Sequence, residues 1–129
     1  MKKNTIHQFG NDIFPRDLFI LITDDIKGIQ DSFELIGVDI DRDWLDNCAA
    51  FVASCIYRET GKLGILTVFR SKKQMSIKNM AHEALHVATA IHKDCGMAMG
   101  FDSGQDETCA YLAGWAADCF NQVRTNKFR

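Results

Sequence analysis

Residues 48–70 read CAAFVASCIYRETGKLGILTVFR, and this stretch decides the fold class. Both halves are rich in β-branched, aromatic and small residues, and the polar ETGK between them is typical of a turn. The pattern predicts a β-hairpin with strands near residues 49–58 and 63–70. The apolar run RDLFILIT at 16–23 suits a further buried strand. The sequence therefore predicts a small, mostly antiparallel sheet of about three strands.

Helical segments flank this hairpin in the sequence. Apolar residues at helical spacing predict helices over about 25–36 and 77–93, and a final helix over about 105–123. A short helical turn is expected around Trp44. We therefore expect an α+β fold in which the sheet packs on the last two helices.

The length of 129 residues suits one domain with its own hydrophobic core. Residues 1–15 are polar and unpatterned, so we expect a loosely attached N-terminal arm before a single domain over 16–129. The net charge of −2 gives no electrostatic basis for binding nucleic acid or an acidic membrane surface. The apolar run LFILI at 18–22 is too short to cross a bilayer. Nucleic acid and membrane are therefore not expected as partners.

The cysteines predict a reducing environment. Their number is odd, no two form a C-x-x-C pair, and no signal-peptide pattern precedes them. Such cysteines usually pack as small apolar side chains in proteins of reducing compartments. We therefore expect a cytoplasmic protein. The five residues are Cys48, Cys55, Cys95, Cys109 and Cys119.

The segment HEALH at 82–86 carries the clearest chemical signal in the sequence. Ser76 is a good N-cap for its helix. His82 and His86 lie one above the other, about 40° apart around the axis, on the side opposite the apolar face. Two imidazoles one turn apart can each give a ring nitrogen to one metal ion, and Glu83 can hydrogen-bond a water on that ion. We therefore expect a metal site, and zinc suits imidazole ligands better than magnesium or calcium does.

His92 lies ten residues after His82, as in the three-histidine pattern H-E-x-x-H-x-x-G-x-x-H. In that pattern a glycine lets the chain leave the helix, but Thr89 holds this position and no breaker follows before Gly96. A continuous helix places His92 about 15 Å from His82 along the axis. We therefore expect His92 to be a surface residue or a neighbour of the ligands, and a ligand only if the helix breaks.

The segment DETCAYLAGW at 106–115 supplies another candidate for the third ligand. A polar stripe opposite the apolar face of the final helix consists of Glu107, Tyr111, Gly114 and Asp118. If this stripe faces the histidines, Glu107 reaches the same ion and Gly114 lets the two helices approach closely. Two histidines, one glutamate and an open position form a catalytic zinc set. Asp106 is the reserve ligand, although favourable chemistry at a helix N-terminus already explains it.

With AHEALH followed about twenty residues later by DETCAYLAGW, residues 76–120 resemble a minimal zincin of the gluzincin type. They also resemble small proteins of phages and mobile elements that carry similar helix pairs. The order of hairpin and then helix agrees with a zincin core. The resemblance implies that His82, His86 and Glu107 bind Zn²⁺ and that Glu83 is the general base. It also implies hydrolysis of a peptide bond in a peptide or protein substrate.

Further residues have candidate supporting roles in such a reaction. Tyr111, one turn beyond Glu107, could donate a hydrogen bond to the developing oxyanion, with His92 as the second candidate. Asp118 or Asn79 could orient a ligand histidine. A strand of the hairpin at the sheet edge could pair with an extended peptide.

Two alternatives to a zinc peptidase stay open. The first is a catalytically inactive zinc-binding or regulatory module of the same fold. The second is an α+β interaction protein whose histidine stripe is solvated and binds no metal. The sequence predicts neither the oligomeric state nor the identity of the substrate.

Overall fold

The computed structural model describes residues 4–100 and 106–129 of the chain. Five strands in these residues form one sheet: β1 (His7–Phe9), β2 (Asp17–Ile22), β3 (Phe33–Leu35), β4 (Ala50–Tyr57) and β5 (Lys62–Phe69). The helices described are α1 (Ile26–Ser32), α2 (Arg42–Asp46), α3 (Ile77–Asp94) and α4 (Glu107–Thr125), with a 3₁₀ turn at Lys72–Gln74. The predicted α+β class is confirmed.

The sheet has the strand order β1-β2-β5-β4-β3 and is mixed. β2 pairs with β5 in parallel, and the other neighbours pair antiparallel. The expectation of about three mostly antiparallel strands is therefore wrong. β2 and the hairpin form as predicted, but the short strands β1 and β3 extend the sheet at its two edges. Their segments carry too few alternating apolar residues to predict a strand from sequence.

The hairpin of β4 and β5 is confirmed, with Ala50 opposite Phe69 and Tyr57 opposite Lys62. Every residue of β5 from Gly64 onward is buried. A central strand covered on both faces has this continuous burial instead of alternation.

The helix predicted over 25–36 ends after seven residues, and β3 follows it directly. Phe33 of β3 packs against the rings of Phe19 and Tyr57, with ring centroids 5.3 Å apart in both pairs. This packing and the ladder with β4 outweigh the helical spacing of the apolar residues, because helix propensity is a weak preference.

Helices cover both faces of the sheet. α3 and α4 pack on one face, where the buried strand residues include Leu18, Ile20, Ile65 and Phe69. α1 and α2 cover the opposite face, where they include Phe19, Leu21, Leu66 and Val68. Successive residues of β2 and β5 thus enter different cores. In the described part of the chain, every helix is too short or too polar to span a membrane.

The segment predicted as an N-terminal arm contains β1, which pairs with residues 18–20 of β2. Phe128, next to the last residue, stacks on His7 with ring centroids 5.6 Å apart and lies 6.4 Å from the ring of Phe9. The beginning and the end of the described chain therefore meet at the β1 edge.

Gly64 lies where β5 passes very close to β2. A Cβ at this position would be 2.7 Å from the carbonyl oxygen of Asp17 and 2.6 Å from Cε2 of Phe19. Gly114, inside α4, is the opposite case, because a Cβ added there would meet nothing within 4 Å. The first glycine is required by packing, whereas the second is not.

Gly64→Ala should lower the free energy of unfolding by about 1–3 kcal/mol, because the added methyl group must displace the neighbouring strand. Gly114→Ala is the matched control and should raise it by up to about 1 kcal/mol, because alanine is the better helix former. Urea unfolding followed by circular dichroism measures both changes. Equal stabilities of the two variants would contradict the close packing of β5 on β2.

All five cysteines are free thiols. Burial raises the pKa of the Cys55 thiol to about 12, with a further increase from the charge of Asp94. Burial likewise raises the pKa of the Cys119 thiol to about 12, and Asp118 adds to this. Packing as small apolar side chains is confirmed for Cys55, Cys109 and Cys119, which are buried in the two cores.

At pH 8, a thiol with a pKa of about 12 is ionised in about one molecule in 10⁴, and the thiolate is the species that reacts with alkylating agents. Cys55 and Cys119 should therefore stay unlabelled by iodoacetamide in the folded protein, whereas the partly exposed Cys95 should react. Peptide mass spectrometry before and after denaturation measures the labels. Labelling of Cys55 as fast as Cys95 would contradict this.

Candidate metal centre

Helix α3 carries the HEALH segment and is continuous over 18 residues. Ser76 caps it, since its hydroxyl oxygen accepts a hydrogen bond of 3.1 Å from the backbone N–H of Asn79. The buried apolar residues of α3 are Met80, Ala84, Val87, Ala88 and Ile91. His82 and His86 are exposed on the outer side, as the helical pattern predicts.

The Nε2 atoms of His82 and His86 are 3.2 Å apart, and the two rings are inclined at 71°. Two nitrogens bound to one tetrahedral zinc ion at 2.0–2.1 Å are about 3.3 Å from each other. The histidine pair therefore already has the spacing that a zinc ion needs. The same distance also suits a hydrogen bond between two neutral imidazoles, so the solvated pair is the rival interpretation.

Glu83, unlike the two histidines, is buried, with 7% of its surface exposed. Three ligand atoms lie within 4.8 Å of one another, one each from His82, Glu83 and His86, so the group could hold a metal ion. Burial raises the pKa of the Glu83 carboxyl group, and the charges of the two histidines oppose this increase. The group that the sequence predicts is therefore assembled on α3.

Glu107 is exposed at the first turn of α4, and it lies outside the group that Glu83 forms with the histidines. Tyr111, one turn later, is 51% exposed. The open space around Gly114 shows that the expected close approach of α3 and α4 at this glycine is wrong. α4 turns a neighbouring face, which begins at Asp106, toward α3. Glu107 as third ligand stays a prediction.

His92 is 3% exposed, so the expected surface position is wrong. Its Nδ1–H donates to the carbonyl oxygen of Ala88 at 2.8 Å, and its ring centroid lies 6.5 Å from that of Phe14. Its Nε2 is buried and has no hydrogen-bond partner among the described residues. Because α3 continues unbroken, His92 turns into the core next to Ile91 and stays outside the group formed around His86.

Asn79 and Asp118 bond to groups other than the histidine pair. The Asn79 side chain donates to the carbonyl oxygen of Gln74 at 2.8 Å, at the turn before α3. The Asp118 carboxylate accepts hydrogen bonds from Gln122, at 3.1 Å, and from Arg129. Across residues 4–100 and 106–129, their hydrogen bonds therefore give no support to a role in orienting a histidine.

A cleft of about 460 Å³ lies beside His86, between α3 and the sheet. The residues of α3 in its wall are His86, Thr89, Ala90 and Lys93. The facing wall is β4 at residues 52–54, and residues 36–38 complete the lining. The β4 wall agrees with the expected hairpin strand beside the site, whereas Lys93 was not predicted because it belongs to no motif. The spacing of seven residues from His86 to Lys93, about two helical turns, is the signal that places them on one face.

β4 and α3 run in the same direction along this cleft. Toward their C-terminal ends, the hydroxyl group of Ser54 donates to the carboxylate of Asp94 at 2.6 Å. Toward their N-terminal ends, burial raises the pKa of the Cys48 thiol, the charge of Arg70 opposes this, and Glu83 lies close enough for its charge to add to the increase. An extended chain placed along β4 therefore also lies along α3.

The edge of β4 is open beside the cleft. The backbone N–H of Ile36 donates to the carbonyl oxygen of Ser54 at 2.9 Å, so the backbone polar groups of Ser54 point toward β3. Those of Val52 point the same way, because the direction alternates along a strand. β3 ends at Leu35, and the chain turns at Gly37, whose φ of +76° favours glycine. Within the described residues, Val52 therefore has no strand partner on this side.

A second cavity, of about 390 Å³ and mostly apolar, lies between α3 and α4. Its lining includes Leu85, Thr89, Met99, Asp106, Cys109, Ala110 and Ala113. Thr89 borders both cavities, so the outer face of α3 separates them. Asp106, the reserve ligand, faces this second cavity.

Comparisons of the chain with protein-family models, with curated proteins and with solved structures found no match. The inference of function therefore depends on the geometry of the histidine group and of the cleft beside it.

His82→Ala and His86→Ala should each weaken zinc binding by well over tenfold, since loss of an outer partner of a ligand already costs about 10–100-fold. Isothermal titration of the metal-free protein with zinc measures the affinity. His7→Ala is the matched control, because it removes a histidine at the β1 edge, and it should leave the affinity unchanged.

Glu107→Ala and Asp106→Ala in the same titration identify the third ligand. We expect the larger loss from Glu107→Ala. Zinc affinities that are equally weak in the wild type and in all of these variants would show that the histidine pair is merely solvated.

Proposed function

We propose that this protein is a zinc-dependent hydrolase of peptide bonds, in which His82 and His86 bind the zinc ion and Glu83 is the general base. The observation that carries the proposal is the 3.2 Å spacing of the two Nε2 atoms, with the buried carboxyl group of Glu83 beside them. This arrangement is similar to the active-site helix of zincins.

The chemistry is divided between the ion and the chain. When bound, zinc polarises a carbonyl group and makes a water molecule more acidic. Glu83 accepts the proton of the attacking water on a carboxylate oxygen and passes it to the leaving amine. In the metal-free chain, burial raises the pKa of this carboxyl group and the charges of His82 and His86 oppose the increase.

The cleft beside His86 supports a peptide as the substrate. An extended peptide can add to the open edge of β4, where the N–H and C=O groups of Val52 are available for backbone hydrogen bonds. Such a strand continues the row of β3 and runs antiparallel to β4, as β3 does. A peptide held there passes beside the histidine pair in a defined direction.

The remaining assignments belong to the same proposal. Glu107 is the third zinc ligand with Asp106 in reserve, and Tyr111 donates to the oxyanion. Both Glu107 and Tyr111 are exposed on α4 and lie outside the group on α3. The five free thiols support a reducing, cytoplasmic location.

A second candidate function is a zinc-binding module without hydrolytic activity. The outward position of Glu107 and Tyr111 favours it, because among the described residues the group around the site comes from α3 alone. The two candidates differ in one respect, which is whether Glu83 moves a proton.

Glu83→Gln should abolish hydrolysis of a mixed peptide library while zinc content stays at the wild-type level, because the amide keeps the shape but cannot accept a proton. Mass spectrometry of the products and metal analysis of the same samples give the two readouts. Glu59→Gln, in the exposed turn between β4 and β5, is the matched control and should be fully active. If the zinc-loaded wild type cleaves no peptide, the hydrolase proposal is wrong and the second candidate, a zinc-binding module without hydrolytic activity, is favoured.

A further inference from the structure

Lys93 is a charged residue of the cleft that the mechanism above does not use. It is exposed and lies two helical turns after His86 in the same wall, about 10 Å along the axis of α3. The ionisable residues that line the cleft in the described chain are His86 and Lys93, while the carboxylate of the adjacent Asp94 accepts a hydrogen bond from Ser54 at 2.6 Å. Lys93 also forms no ion pair with a described residue. The cleft therefore has a positive charge at the end away from Glu83.

A strand added to β4 would direct one of its side chains toward Lys93. Residues directly opposite each other in an antiparallel pair share a face of the sheet. Val52 packs in the core on the α3 side of the sheet, so the peptide residue opposite it also points toward α3. There it meets Ala90, whose small side chain leaves room, and Lys93 lies one turn further along.

The direction of the added strand places the peptide residue opposite Val52 on the amino-terminal side of the peptide bond that faces the histidines. β4 and α3 run the same way, so the amino-terminal part of an antiparallel peptide lies toward Ser54 and Asp94. Asp94 lies beside Ser54, and His86 comes about 12 Å before Asp94 along α3. On β4 the same distance equals between three and four residues, so His86 is level with about Ala50. The peptide residue opposite Val52 is then about two positions on the amino-terminal side.

β3 limits how far the peptide can extend along the edge. From Ser54 onward the edge of β4 is already occupied, first by the bond to Ile36 and then by the ladder with β3. An added strand can therefore pair only over about residues 50–53. The residue opposite Val52 lies within this range, so its backbone can pair with β4.

We propose that the preferred substrates are extended peptides with a glutamate about two residues before the scissile bond, whose carboxylate pairs with Lys93. This inference rests on the proposed peptide site. It goes further by assigning the specificity to one residue outside the metal group.

The test measures binding, so that it does not depend on hydrolysis. The protein is the full chain with Glu83→Gln, loaded with zinc, and the probes are fluorescein-labelled ten-residue peptides with blocked ends. The peptides share an alanine- and valine-rich sequence with a single glutamate, glutamine or lysine at a fixed central position. Fluorescence anisotropy at 50 mM and 300 mM NaCl gives the Kd values.

The glutamate peptide should bind about two- to fivefold more tightly than the glutamine peptide at low salt, as expected for a partly exposed ion pair, and the difference should shrink at high salt. Adding Lys93→Glu should reverse the order, so that the lysine peptide binds best. Lys127→Glu, in the exposed C-terminal tail, makes the same charge change away from the cleft and should leave the order unchanged.

Equal affinities for the three peptides, an order that Lys93→Glu does not change, or no binding of any peptide would overturn the inference. Failure of the proposed hydrolysis has a different signature. In that case the wild type cleaves none of the peptides, although the preference for glutamate and its reversal by Lys93→Glu are measured.

Discussion

The packing of α3 across β4 and β5 is the contact on which the rest of the structure depends. Its small and branched side chains, such as Ala84, Val87 and Ala88, are fully or almost fully buried in the core that α3 shares with the sheet and α4. This contact fixes the rotation of the helix about its own axis, because any turn would expose these residues and bury polar ones. The rotation in turn places the histidine pair outside, Glu83 at the boundary and Lys93 beside the sheet edge.

The parts of the fold that local pattern determines could be predicted from the sequence. The hairpin of β4 and β5, the strand β2 and the two long helices have apolar patterns of sufficient length, and all of them form. The edge strands β1 and β3 could not be predicted. They have three residues each and exist because a neighbouring strand offers them a ladder, which no local pattern records. The parallel pairing of β2 with β5 is likewise a property of the whole sheet.

The candidate site also has a part that could be predicted from the sequence and a part that could not. Residues on one helix have a fixed relation, so the grouping of His82, Glu83 and His86 follows from their spacing alone. The orientation of α4 relative to α3 depends on the connection between them and on the rotation of each helix about its axis. The position of Glu107 relative to the histidines could therefore not be predicted from the sequence. The burial of His92 was also missed, because a helical wheel gives an angle but not the depth of the neighbouring segment, here the one that carries Phe14.

The parallel pairing of β2 with β5 also determines the order in which the sheet can form during synthesis. Strands β3 and β4 and two helices separate β2 from its main partner in the chain. As the chain leaves the ribosome, β2 therefore emerges well before β5, and β1, which precedes it, can cover one of its edges. Its other edge, in an apolar run, is open to incorrect partners until the hairpin is complete. Correct assembly of the sheet is therefore a late step, which follows the formation of β5.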